Sequence, residues 1–324
     1  MESAAAQPTS EDVPYVELHC KSNYSFLEGA SHADELVAAA QAQGHSAIAV
    51  TDRNSLAGVV RAHVAARAAG LKLLVGSEIV PDDGAAIVLL ATDRASYGRL
   101  SQLITVGRRR APKGECRLRI ADIEKFQEGL ICCVPFSTES QQRFVDAFRP
   151  GASSEIDKLQ LVTYHKIFGD RCYALAELHR SANDGAKLKR WLATCEELGI
   201  ALAAANDVHF HIPERRPLHD VVTAIRCRKS LEQLGHQLHP NGERHIKSGA
   251  ELLRLFGGRG ELIQRTIEIA DRCHFSLDEV RYEYPEEIVP DGTTPDQHLT
   301  NLTDWSEEAL SDWSAGQSPR PHPA

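Results

Sequence analysis

Short runs of apolar and β-branched residues alternate with segments of helical period over the first two hundred positions of the chain. "YVELH" (15–19) precedes "SHADELVAAAQAQG", which predicts a helix capped by Ser31 with Glu35 in its first turns. "SAIAVTD" leads into "SLAGVVRAHVAARAAG", where Gly70 marks a C-terminal stop. "KLLVGSEI", "AAIVLLAT", a helix from about Ser96 to Arg109, and "GLICCVP" follow. "CYALAEL", the helical "GAKLKRWLATCEELG" and "IALAAANDVHF" close the series. The apolar runs do not alternate with polar residues, the pattern of strands covered on both faces. An α/β fold is predicted, with parallel strands joined by helical crossovers and closed into a barrel rather than stacked as a sandwich.

From about Pro213 the pattern is helical only, in "RRPLHDVVTAIR", "SGAELLRLF" and "RGELIQRTIEIADRC", which places a boundary near 235. The tail "SAGQSPRPHPA" has the composition of a disordered segment. The formal net charge of −9 on 324 residues argues against a surface that grips nucleic acid by bulk charge. The basic stretch "GRRRAPKGECRLR" reads as a solvated loop after a helix. The eight cysteines are scattered without a C-x-x-C, so neither a zinc ribbon nor a disulfide framework is indicated. The acidic start "MESAAAQPTSEDVP" has no apolar signal region and no stretch suits a membrane span, which gives a cytoplasmic expectation.

In a β/α barrel, chemistry collects at the C-terminal ends of the strands. Those ends carry His19, Asp52, Glu78, Asp207 and His209, a set of ligand types suited to hard or borderline metals. A lone Asp after a strand is ordinarily a turn or cap residue, and a lone His is ordinarily a satisfied core residue. Glu78 is harder to dismiss, because glutamate is a poor strand residue. "ELHRSAND" places His179 and Arg180 at another strand end, and "HPNGERH" (239–245) reads as a polar loop.

"YVELHCKSNYSFLEGASHADELV", "AVTDRNSLAGVVRAHVAARAAGLKLLVGSEI", "SYGRLSQLIT", "ANDVHFH", "HPNGERHIKS" and the segment from "IADRCHFSLDEV" to "HLTNLT" resemble, in order, the amino-terminal part of bacterial C-family DNA polymerases, nearest to the error-prone alpha-subunit type. The resemblance runs from about Tyr15 to Thr303. It implies a polymerase and histidinol phosphatase (PHP) domain, a distorted seven-stranded β/α barrel, over 15–235. It further implies a helical connector and the start of the polymerase palm over 236–303. Residues 1–14 and 304–324 are expected to be disordered, the latter unmatched.

The resemblance places His19, Asp52, Glu78, Asp207 and His209 at metal-ligand positions of active PHP domains. Three other positions depart from the pattern: Lys21 replaces the second histidine of His-x-His, Arg53 the histidine of an Asp-His pair, and Ala86 a further histidine. Cys132 or Cys133 matches a ligand cysteine loosely. The expectation is a vestigial centre without metal and without catalytic residues, in which Lys21 as a point charge and Arg53 as a bidentate partner neutralise Asp52, Glu78 and Asp207. The alternative is a stand-alone phosphoesterase retaining Mn²⁺ or Zn²⁺. Full-length relatives imply Mg²⁺ in the palm, with DNA, a sliding clamp and mutagenesis proteins as partners in translesion repair and no membrane contact. No D-x-D occurs in the sequence, and the end of the chain does not read as palm, so a truncated, inactive product is expected.

Overall fold

The computed structural model describes residues 13–136, 152–280, 289–290, 292–301 and 303. The expected disordered ends, 1–14 and 304–324, lie outside these residues except for Val13 and Pro14.

Among the described residues seven strands follow one another in spatial order as in sequence: β1 (Val16–Glu17), β2 (Ala47–Val50), β3 (Lys72–Ile79), β4 (Ile87–Ala91), β5 (Leu130–Pro135), β6 (Cys172–Glu177) and β7 (Ala201–Ala205). β1 is shorter than "YVELH" suggests; its pairing stops after Glu17 and resumes as a parallel bridge between Cys20 and Val208. That bridge, with hydrogen bonds from the Val208 amide to the His19 carbonyl and from the Lys21 amide to the Val208 carbonyl, both 2.8 Å, draws β7 onto β1 and nearly closes the barrel. β4 corrects the all-parallel expectation. It is antiparallel to both β3 and β5, because only seven residues separate it from β3 and no crossover helix fits in so short a link. Ala86, just before β4, therefore lies at the same end as the tips of the parallel strands, next to the pairing of Ile87 with Ile79.

One face of the strands fills the barrel. Ala47, Ala49, Ala203 and Ala205 alternate with larger Leu74, Leu90, Ile131 and Leu175, so small and large side chains interdigitate. The other face carries the helices α1 (Ala33–Ala42), α2 (Val59–Ala69), α3 (Arg94–Arg109), α4 (Ile120–Phe126), α5 (Ala152–Phe168) and α6 (Asp184–Leu198). α4 and α5 are not signalled by the sequence pattern. α1 is capped differently from expectation: the Glu35 carboxylate accepts the His32 amide at 2.8 Å, while Ser31 Oγ turns to His211. Gly70 ends α2 in the left-handed region at φ 66°, as its position predicts.

The later helices α7 (Arg216–Cys227), α8 (Leu231–Leu234), α9 (Gly249–Leu255) and α10 (Gly260–Asp271) belong to the same compact unit, which runs to Val280. Of the expected connector and palm start over 236–303, residues 236–280 lie in this unit. Ile269 and Ala270 of α10, with Cys273, complete the interior cluster, and Thr266 Oγ1 accepts the Val16 amide at 3.1 Å. Their amphipathic stripe closes the end where the parallel strands begin, which leaves the opposite end as the mouth. Residues from 281 onward form a second unit.

Candidate functional site: a charge-balanced barrel mouth

β3, β6 and β7 each deliver a carboxylate to the mouth through the two-residue period of a strand: Glu78, Glu177 and Asp207. Asp207 stands in the left-handed region at φ 43°, a conformation that aspartate tolerates, and this turns the chain sharply after β7. Lys21 enters from the segment after β1. Its Nζ lies 2.6 Å from Glu78 Oε2 and 2.8 Å from Asp207 Oδ1, and the residue is 5% exposed. His19 Nδ1 lies 2.7 Å from Glu177 Oε1, and His19 Nε2 lies 3.2 Å from Glu78 Oε2. Arg244 pairs with the second oxygen of Asp207. Among the described residues three carboxylates thus meet Lys21, His19 and Arg244.

The electrostatics follow from this geometry. Against the upward push of burial, Lys21 and His19 hold the Glu78 carboxyl far below the usual range, and Lys21 and Arg244 do the same for Asp207. Against burial, Asp207 and Glu78 push the Lys21 ammonium above its ordinary value. Against burial and the Lys21 charge, Asp207 and Glu177 raise His19 to about 10, so its ring is a cation donating from both nitrogens. Below this layer, burial lifts Glu17 to about 7 even though it accepts amides from His19 and Asn206.

A pH experiment follows. A histidine whose folded value is raised contributes stability that is fully present below its unfolded value of about 6.5 and is lost as pH rises through the folded value. The stability difference between the wild type and His19→Gln is therefore expected to be largest below about pH 6.5 and to shrink towards pH 10. Urea unfolding of the two proteins at a series of pH values checks this, and a difference that is flat across that window contradicts the assignment.

Two expected roles are corrected. Arg53 does not reach Asp52; its guanidinium pairs with Glu28, and its side chain is 42% exposed. Asp52 is fully buried and is met by neutral donors: the amides of Ser22 and Ser25 at 2.8 and 3.2 Å, Ser25 Oγ at 2.7 Å and Ser22 Oγ at 2.8 Å. Burial still lifts its carboxyl above the ordinary aspartate range. Cys132 and Cys133 both sit in apolar clusters on β5, with burial pushing each thiol well up, and neither belongs to the mouth. His209 does reach it, with Nε2 3.2 Å from Asp207 Oδ1.

Sequence reasoning missed Glu177 and Arg244. The argument applied to Glu78, a glutamate ending an apolar strand, applies equally to Glu177 in "CYALAEL". Arg244 comes from the polar loop "HPNGERH", where no strand-end rule points. His179 lines the same cavity, of about 720 Å³, and its Nε2 meets the Asn206 carbonyl at 2.9 Å, whereas Arg180 is an exposed partner of Glu243 and Glu251. No helix among the described residues is long and apolar enough to cross a membrane.

The PHP domain model matches residues 17–181, half of the chain, and the chain belongs to the PHP domain family. At the level of particular proteins it is similar to error-prone DNA polymerases. It is 45% identical to that of Dechloromonas aromatica over 296 residues, 41% to that of Rhodopirellula baltica over 305, and 44% to that of Methylococcus capsulatus over 294. These alignments cover 90%, 93% and 91% of this chain, but the chain spans only 27%, 26% and 26% of the relatives. Among solved structures, an amidohydrolase from Chromobacterium violaceum is similar at 15% identity over 60% of this chain and 88% of its own, with a TM-score of 0.38.

Proposed function

We propose that this chain is the PHP portion of an error-prone DNA polymerase subunit, and that the carboxylate cluster around Lys21 at its barrel mouth is a structural core without metal rather than a hydrolytic centre. The observation that carries this reading is the Lys21 ammonium lodged between Glu78 and Asp207. The residues at the mouth do not fit a divalent ion there, because the space between the ligand oxygens holds a fixed cation. A divalent ion about 6 Å from that ammonium is repelled by roughly 5 kcal/mol at an effective dielectric of about 20. Arg244 and the protonated His19 add to the repulsion.

In this role the domain braces the polymerase palm. Mg²⁺ chemistry, DNA, the sliding clamp and mutagenesis partners belong to the full-length protein, acting in translesion synthesis in the cytoplasm. The competing reading, a metal-dependent phosphoesterase using Mn²⁺ or Zn²⁺, has one observation in its favour: His19, Glu177 and Asp207 each offer a ligand atom within 4.8 Å of the others. His19 is held protonated between two carboxylates, however, so it has no lone pair to offer a metal.

The test is turnover of bis(p-nitrophenyl) phosphate and of a single-stranded oligonucleotide by the whole chain with Mn²⁺ or Zn²⁺. No turnover above buffer is expected. Metal-dependent cleavage that disappears in Glu78→Gln would overturn the proposal.

A further inference from the structure

Outside the cluster around Lys21, three imidazoles converge from separate elements. His209 follows β7, His219 lies on α7, and His239 lies in the loop before Arg244. The ring of His219 packs 5.2 Å from that of His209 and 4.9 Å from that of His239, and His209 to His239 is 5.0 Å, centroid to centroid. One nitrogen from each ring lies within 4.8 Å of the other two.

His219 is 2% exposed, and neither of its ring nitrogens has a hydrogen-bond partner. A buried imidazole with both nitrogens orphaned is costly, and such a group calls for a partner in the form of an ion or an ordered water. His209 supplies the feature that fixes a metal-binding ring: its Nε2 meets the Asp207 carboxylate at 3.2 Å, which orients the imidazole and leaves Nδ1 facing away. That Nδ1 lies 3.3 Å from the Glu28 carbonyl oxygen. When Nε2 carries the proton, two acceptors therefore face each other, and a cation relieves that contact. The Arg244 charge is the unfavourable neighbour, and its pairing with Asp207 offsets it.

We propose that His209, His219 and His239 bind one zinc ion, at a site that shares only His209 with the ligand positions of active PHP domains. Three neutral imidazoles are a zinc-type donor set, with a fourth position left for water from the cavity that His209 and His239 line. Zinc–nitrogen distances of about 2.0–2.1 Å require the rings to close in from their present spacing. The ion clips the end of β7, α7 and the 239–245 loop together, and so holds Arg244 against Asp207.

The experiment titrates the metal-stripped 324-residue chain with Zn²⁺ by calorimetry and with Co²⁺ by visible absorption. One equivalent of metal, an intense tetrahedral Co²⁺ spectrum and a zinc-dependent rise in Tm are expected. His239→Gln and His219→Gln should each weaken zinc by more than the roughly 10–100-fold typical of losing an outer-shell partner, while His274→Gln, at an exposed position outside this cavity, leaves the affinity unchanged. His239 is in a half-buried loop, so its variant keeps the test decisive if His219→Gln does not fold. Absence of stoichiometric binding, which leaves water as the partner of His219, overturns the proposal. So does binding lost in Glu78→Gln but kept in His239→Gln. Phosphoesterase turnover bears on the previous proposal and leaves this readout untouched.

Discussion

Replacing Lys21 by methionine is expected to lower the unfolding free energy by about 3–5 kcal/mol, the cost of leaving a buried charge without its partner. Methionine conserves much of the volume, so packing is not what is lost. Glu78 and Asp207 are both buried, and each loses the cation 2.6–2.8 Å away. His19 and Arg244 remain, but their carboxylate partners then outnumber them. Two controls separate this from general damage. Adding Glu78→Gln to Lys21→Met should recover a large part of the loss, because the remaining charges again balance. Acidification should also narrow the gap. Carboxylates held below their unfolded values contribute stability that is present above about pH 4 and lost as pH falls through the folded values, so the wild type loses at low pH what the variant already lacks. Urea midpoints at pH 7 and pH 3 measure both. A Lys21→Met loss that is small at pH 7, or a Glu78→Gln addition that deepens it, is incompatible with a core held by that ammonium.

Most of the barrel was legible because a buried strand has a one-dimensional signature. The apolar runs mark β2 to β7, and Gly70 marks the end of α2. What the runs do not encode is direction. β4 reads like its neighbours and yet runs antiparallel, a property of the length of its link to β3 rather than of its own residues. α10 reads as ordinary helix packing, and its stripe gives no sign that the partner is the barrel interior. At the site, Lys21 stands beside Glu78 and Asp207 because its position in the strand-end motif fixes it there. Arg53 does not reach Asp52, since a long side chain next to one carboxylate can turn to another, and Glu28 lies on a loop whose path the sequence does not predict. His219 and His239 were invisible for the same reason: one lies on a helix and one on a loop, and only tertiary folding brings them to His209.

Asp52 carries the second large effect, and its role differs from the one its motif suggests. Asp52→Ala is expected to cost about 3 kcal/mol or more, since it removes hydrogen bonds to a buried carboxylate and strands the Ser22 amide. The close approach of Gly58 shows how tightly the carboxylate is enclosed: a Cβ there would lie 2.4 Å from Asp52 Oδ2, so glycine is required. Asp52→Asn separates shape from charge. Oδ1 alone accepts the Ser22 amide, the Ser25 amide and Ser25 Oγ, and the two lone pairs of an amide oxygen can keep the shorter two, from the Ser22 amide and Ser25 Oγ. The new amide nitrogen faces Ser22 Oγ, which can accept as readily as it donates. Asparagine should therefore retain most of the stability, at a cost of about 1 kcal/mol, with amide exchange in the 22–31 loop close to wild type. Alanine should unprotect that loop. Equal losses for Asn and Ala would mean that the negative charge itself is needed, returning Asp52 to the electrostatic network from which the geometry removes it.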